Sequence, residues 1–170
     1  SGRALYAAVS NYSAEQTRAA AELLRALGTP CVINQSSYNL FNRSIENGLT
    51  DVLETEGIGG IVFCPLAQGM LTDKYLKSIP SNSRAVKSHF LNEEAVQNAL
   101  PKIKALNGIA QARGQTLAQM ALQWVLRQSS VTSALIGASR PQQILDNLEA
   151  LKGAPFTVEE LEMIDTGCGA

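Results

Sequence analysis

Histidine and cysteine are scarce in this 170-residue chain: one of the first and three of the second. Cys31, Cys64 and Cys168 form an odd number with no CxxC spacing, which argues against a zinc site or a disulfide framework. The single histidine, His89, sits in the polar stretch Val86-Lys87-Ser88-His89 beside Arg84 and reads as a solvated loop residue. A Ser-His-Asp or Cys-His pair would have to use this residue as its base. Long hydrophobic runs are absent too, with nothing approaching the roughly 18 consecutive apolar residues of a membrane span. An excess of either charge is missing: Lys+Arg 14 against Asp+Glu 15 leaves a net charge of -1, no footprint for nucleic acid or an anionic membrane. The opening Ser1-Gly2-Arg3-Ala4 lacks the charged-then-apolar pattern of a signal peptide, and Ser1 in place of Met leads to the expectation of a cleavage point. These absences together predict a cytoplasmic protein with no metal, no nucleic-acid partner and no membrane partner.

Hydrophobic residues at 45%, charged residues at 17%, Gly 13 and Pro 6 describe an ordinary globular chain. Its length suits one domain, so residues 1–170 are expected to form a single unit. Leu5 to Ser10 is a short apolar run. Ser13 to Gln16 then matches a capping box, followed by Ala20, Leu23, Leu24 and Leu27 as one helix face, with Gly28 as a stop. Cys31 to Gln35 is a second strand, and Gly48 to Glu56 a helix with Leu49, Val52 and Leu53 in register. Gly60 to Cys64 is a third strand, broken by Pro65.

No periodicity holds from Leu66 to Asn92, and a connection of that length is usually functional. Ile103, Leu106, Ile109 and Ala110 mark a helix that ends at Arg113-Gly114. Thr116 to Gln119 caps another, with Leu117, Met120, Ala121 and Trp124 inward. Val131 to Ile136 is a fourth strand. Gly137 to Arg140 forms a turn, and Pro141 opens a helix whose apolar face is Ile144, Leu145, Leu148 and Leu151. Thr157 to Glu160 caps a last helix through Leu161 and Ile164.

Strand and helix alternate four times, and near-continuous apolar strands imply a parallel sheet buried on both faces. Two closures compete, an open doubly wound sheet or part of an eight-stranded (β/α)8 TIM barrel. A full barrel takes about 250 residues, so four units amount to roughly half of one. No Gly-x-Gly-x-x-Gly follows the first strand, which counts against a dinucleotide-binding open sheet.

Parallel α/β proteins bind ligands beyond the carboxyl ends of their strands. The residues there are Ser10 and Asn11, then Gln35, then Phe63 and Cys64 with Pro65 to Gly69, then Gly137 to Arg140. Gly137 to Arg140 suits an anion, because glycine permits close backbone approach while the next helix offers unpaired N–H groups. Gln143, Asp146 and Asn147 follow at helical spacing, either a solvated face or the edge of an adenosine pocket. Lys74 and Arg84 add cations from the long loop.

Four segments carry a family resemblance: Ala8 to Ser13, Asn34 to Leu40, Pro65 to Tyr75 and Ile136 to Arg140. In this order they resemble the aldo-keto reductase family, in the branch that holds bacterial L-glyceraldehyde 3-phosphate reductases and the potassium-channel β subunits. The resemblance implies the C-terminal half of that family's barrel, strands five to eight, and an NADP(H) site. Ser10, Asn11 and Gln35 match positions that hold the nicotinamide carboxamide, and Phe63 an aromatic position near the nicotinamide. Leu66, Ala67, Gln68 and Gly69 match the pyrophosphate cradle, with Lys74 and Arg84 on the loop over the cofactor. Gly137, Ser139, Arg140, Gln143, Asp146 and Asn147 match the pocket for adenine and its 2′-phosphate; Asp146 stands where the family commonly has Glu. The catalytic Asp, Tyr, Lys and His of the family match nothing here: Tyr6, Tyr12, Tyr38, Tyr75 and His89 all fall at other positions. The resemblance thus implies reduction of a small aldehyde or ketone by the complete enzyme, with the missing N-terminal half-barrel, or self-association, as partner. It equally allows a nucleotide-responsive module without catalysis.

Overall fold

A computed structural model describes residues 3–169. Ser1 and Gly2, which bear on the expected cleavage point, lie outside the described residues, as does Ala170. Contacts divide the chain into two compact units, Ser1–Pro65 with Trp124–Ile136 and Leu66–Gln123 with Gly137–Ala170.

The first unit holds the four strands found among the described residues: β1 (Ala7–Ser10), β2 (Cys31–Ser37), β3 (Gly59–Phe63) and β4 (Val131–Leu135). All pair in parallel, in the order β1-β2-β3-β4, with Ser10 opposite Gln35, Gln35 opposite Ile61 and Phe63 opposite Leu135. Each strand joins the edge left by its predecessor. A doubly wound sheet reverses direction at a switch point, so this order decides for a stretch of barrel wall. Helix α1 (Ala14–Ala26) begins where expected, with Gln16 N–H donating to Ser13 Oγ and Ser13 N–H to Gln16 Oε1. Helix α2 (Leu49–Glu56) runs between two left-handed glycines, Gly48 at φ 86° and Gly57 at φ 67°, and buries Leu49, Val52 and Leu53.

Two expectations fail in this unit. On α1 the buried residues are Thr17 and Ala21, while Leu23 and Leu27 are exposed. The strands are not all covered either: β1 alternates half-buried with exposed, and Thr132, Ser133 and Leu135 of β4 are exposed. The physical reason is that β1 and β4 are edge strands, each paired on one side only.

Behind the end of β2 lies a buried aromatic and charged cluster. Tyr38, fully buried, donates from its hydroxyl to Glu46 Oε1 at 2.6 Å and accepts from Arg127 at 3.0 Å. Arg43 donates to Glu46 Oε2 at 2.8 Å. The Trp124 ring lies 3.8 Å from the Arg127 guanidinium, 5.1 Å from that of Arg43 and 5.1 Å from the Tyr38 ring. Burial, with the bond to Glu46, pushes the Tyr38 hydroxyl up to about 12. Burial also works to raise Glu46, but hydrogen bonds from Tyr38 and Arg43 and the charges of Arg43 and Arg127 outweigh it and hold the carboxyl below 4.5.

The two shifts have opposite signs of linkage. Neutral Tyr38 contributes stability that is complete below its ordinary pKa of 10.0 and is lost as pH rises toward about 12. Ionised Glu46 contributes stability that is complete above 4.5 and is lost as pH falls through its lowered value. Urea midpoints against pH are expected to decline at both ends. Two pKa units correspond to about 2–3 kcal/mol, so Tyr38→Phe should flatten the alkaline decline; an unchanged decline would refute this role.

In the second unit the segment expected to lack periodicity contains short helical turns, Ala67–Gly69, Asp73–Tyr75 and helix α3 (Arg84–Lys87). Helix α4 (Glu93–Ala112) starts a full ten residues before Ile103. Asn92 caps it by accepting from Ala95 N–H at 2.7 Å, and Glu93 and Glu94 lie at its positive end. Helix α5 (Leu117–Leu126) keeps the expected cap between Thr116 and Gln119, with Leu117, Met120 and Ala121 buried. Helix α6 (Pro141–Leu148) has Pro at its first turn, and α7 (Val158–Cys168) is capped by Thr157 with Glu160. Arg113 pairs with Glu160 and stacks on Phe156 at 4.0 Å. The expected inward face of α6 is corrected: Ile144, Leu145, Leu148 and Leu151 are all exposed. Amphipathic spacing is present, but no described element packs against it. No helix among the described residues is long and apolar enough to cross a membrane.

Candidate functional site

The candidates fall into two groups, one in each unit. In the first, Ser10, Asn11 and Gln35 converge on a single carbonyl. Ser10 Oγ donates to Gln35 O at 3.0 Å, and Asn11 N–H donates to the same oxygen at 2.9 Å. This ties the end of β1 to the end of β2 and leaves the Asn11 and Gln35 carboxamides without a hydrogen bond among the described residues. Ser10 and Asn11 are exposed and Gln35 half-buried. Phe63, half-buried, ends β3 and lies opposite Leu135 rather than beside Gln35.

In the second unit Leu66, Ala67, Gln68 and Gly69 form one tight turn. Leu66 O accepts from Gly69 N–H at 2.8 Å and Leu71 N–H at 3.2 Å, while Gln68 Nε2 donates to Phe90 O at 3.1 Å. Thr72 Oγ1 donates to Gly69 O at 2.8 Å and accepts from Lys74 N–H at 3.2 Å, continuing the turn to Lys74. The Lys74 ammonium lies 5.9 Å from the Tyr75 ring centroid, and Arg84 opens α3; both cations are exposed.

At the start of α6, three donors meet one oxygen. Ser139 N–H, Ser139 Oγ and Arg140 N–H reach Gln143 Oε1 at 2.8, 3.1 and 3.2 Å. The Arg140 guanidinium takes part in none of the ion pairs among the described residues. Gly137 leaves open space where a Cβ would stand. Asp146 is already engaged, its carboxylate by Gln142 at 2.8 Å and its carbonyl by Gln119 at 3.0 Å; Asn147 follows, half-buried. No hydrogen bond joins the turn at Leu66–Gly69 to the turn at Ser139–Gln143 among the described residues.

Backbone strain gathers at these positions. Among the described residues the non-glycine residues with positive φ are Asn11, Cys64, Ala67 and Gln68, at 55°, 54°, 46° and 58°. Asn11 and Cys64 each follow directly on a strand, and Ala67 and Gln68 lie just beyond. Asparagine tolerates this region, whereas Cys64, Ala67 and Gln68 held there cost about 1–2 kcal/mol each, and such strain collects at functional sites.

Two buried asparagines brace these ends. Asn34, almost fully buried, donates from Nδ2 to Thr17 Oγ1 at 2.8 Å and Tyr12 O at 3.4 Å, and accepts from Ser36 Oγ at 2.7 Å. Asn39, also buried, donates to Cys64 O at 3.0 Å. The signal in the sequence is a run of polar residues, Asn34 to Ser37, closing an apolar strand; those that fold inward must find partners.

Three donors already gathered on the Gln143 oxygen can receive a phosphate oxygen, with Arg140 beside them and Gly137 permitting approach. The two unengaged carboxamides, Asn11 and Gln35, suit an amide-bearing ring.

Comparison with known proteins finds relatives along nearly the whole chain. L-glyceraldehyde 3-phosphate reductase of Escherichia coli (strain K12) is 47% identical over 97% of this chain, which covers 49% of it. A probable voltage-gated potassium channel subunit beta of Oryza sativa subsp. japonica is 34% identical over 94% of this chain, which covers 51% of it. The chain therefore spans about half the length of the curated relatives it matches. The solved structure of the glycerol dehydrogenase from Gluconobacter oxydans superimposes with a TM-score of 0.77 at 26% identity, covering 95% of this chain and 48% of that one. Its match supports the partial-barrel reading of the four parallel strands. The pattern of the aldo/keto reductase family runs through residues 1–167, and with these likenesses the chain belongs to that family.

Proposed function

We propose that the chain is the NADP(H)-binding half of an aldo-keto reductase whose complete enzyme reduces a small aldehyde or ketone. The observation that carries the reading is the placement of Asn11, Cys64, Ala67 and Gln68 in left-handed backbone at and just beyond the ends of β1 and β3. Strain is spent there on shaping a ligand surface. Asn11 and Gln35 hold the nicotinamide carboxamide, Phe63 stacks near the ring, and Leu66 to Gly69 cradle the pyrophosphate with Lys74 and Arg84 above. Ser139 and Arg140 take the 2′-phosphate. Held by these residues, a nicotinamide cofactor would supply hydride to the carbonyl carbon, and the carbonyl oxygen would need a proton from a positioned acid.

The residues that deliver that proton in the family match none in this chain, so the other half-barrel supplies them. The open edges of β1 and β4 and the exposed Leu23, Leu27 and Leu135 are where that half, or a second copy, completes the wall. A second reading, a nucleotide-responsive module, draws on the likeness to a potassium channel subunit beta.

Nucleotide titration of the purified protein followed by steady-state assay with a small aldehyde separates the readings. NADPH binding without turnover is expected from this chain, because loss of a positioned general acid costs about 10²–10⁴ in rate. Turnover by this chain alone would show that its own residues deliver the proton. Failure to bind NADPH would refute the assignment.

A further inference from the structure

The loop after β2 grips the chain where β3 ends. Tyr38 N–H donates to Phe63 O at 3.3 Å, and Asn39 Nδ2 donates to Cys64 O at 3.0 Å. Two consecutive carbonyls at the end of β3 are thus received by two consecutive residues 25 positions earlier. The Asn39 side chain has no freedom to turn away. Its Oδ1 accepts from Phe41 N–H at 2.9 Å and from Asn42 N–H at 3.0 Å, its backbone exchanges two 3.0 Å bonds with Asn42, and it is 4% exposed.

What this amide holds is an unfavourable conformation. Cys64 stands at φ 54°, where its Cβ crowds the backbone. Pro65 follows, and a residue before proline is pushed toward extended backbone. Both local preferences therefore draw Cys64 toward the extended region. That rotation would swing the Cys64 carbonyl off Asn39. Cys64 directly follows β3, and Pro65 and then Leu66 to Gly69 come next in the chain.

We propose that Asn39 is a positioning residue for cofactor binding: its carboxamide holds the Cys64 peptide in the left-handed conformation from which the chain departs β3. The link to cofactor rests on the function proposed above; the link to Cys64 stands on geometry alone. Asn39 touches no ligand itself and acts through the backbone it clamps.

The variant that isolates the clamp is Asn39→Asp. An ionised Asp keeps both acceptor bonds to Phe41 and Asn42 and loses the donor to Cys64. Asn39→Ala loses all three. In the purified protein Asn39→Asp is expected to weaken NADPH binding about tenfold and to move the Cys64 Cα and Cβ chemical shifts away from left-handed values. In a Cys64→Gly background, where positive φ carries no steric penalty, the same substitution should weaken binding less than about threefold. An Asn39 that serves only its own turn gives a different result: Asn39→Asp like wild type and Asn39→Ala impaired, with no relief from Cys64→Gly, and this would overturn the proposal. Wild-type protein that binds no NADPH defeats the cofactor assignment and this role in binding with it. The Cys64 shifts in wild type and Asn39→Asp then still decide whether the amide holds the backbone.

Discussion

Arg140→Ala is expected to weaken NADPH binding by about 30- to 100-fold while NADH binding changes by less than about threefold. A charge-assisted guanidinium–phosphate contact contributes roughly 2–3 kcal/mol, and each 1.4 kcal/mol is tenfold in affinity. Position explains why the loss concentrates in one side chain. Arg140 stands in extended backbone before Pro141, outside the first helical turn, and its guanidinium has no ion-pair partner among the described residues. The neighbouring amides persist in the variant, since Ser139 N–H and Arg140 N–H belong to the backbone and meet Gln143 whatever side chain follows. Isothermal titration with both nucleotides reads the difference. Equal losses for NADPH and NADH would move the 2′-phosphate away from α6, and no loss for either would remove Arg140 from the site.

Gly60→Ala is expected to destabilise the protein by about 2–3 kcal/mol, the largest effect foreseen for removing no existing contact. A Cβ at Gly60 would stand 2.6 Å from the backbone carbonyl of Ser130 and 3.3 Å from Leu53 Cδ1. The carbonyl cannot step aside, because it accepts from Gly60 N–H at 2.8 Å and adjoins the register shift between β3 and β4. At Gly59 the nearest atom is the Thr132 hydroxyl at 3.0 Å, a side-chain end on an exposed residue that can rotate, so Gly59→Ala should cost less. Gly108, inside α4, has nothing within 4 Å of its Cβ position, and Gly108→Ala should gain about 0.5–1 kcal/mol from helix propensity. Urea unfolding of the three variants orders them. A Gly60→Ala protein as stable as wild type would mean that β3 and β4 do not approach as described.

Helix starts were legible because they are local. Ser13 with Gln16, Thr116 with Gln119 and Thr157 with Glu160 each form their reciprocal bonds within three residues, so the spacing alone announced them. Helix α4 was under-read for the opposite reason. Pro101 and the polar stretch before Ile103 hid a beginning that Asn92 and two acidic residues secure. The exposed faces of α1 and α6 show the limit of periodicity, which reports that a helix has an apolar side and not that anything covers it.

The candidate site divides along the same line. Of the polar residues expected after each apolar run, Ser10, Asn11 and Gln35 meet on one carbonyl. The left-handed backbone at Cys64, Ala67 and Gln68 was not legible, since none of these is the glycine that announces positive φ. Nor was the bracing by Asn34 and Asn39, whose side-chain amides donate to partners 17 to 25 residues away in sequence. By itself the sequence determined the alternation of strand and helix, the caps and the family, all of which rest on contacts between near neighbours or on ordered motifs. Only the tertiary structure decided the strand order, which apolar faces stay uncovered and which residues are held in strain, because each depends on groups that folding alone brings together.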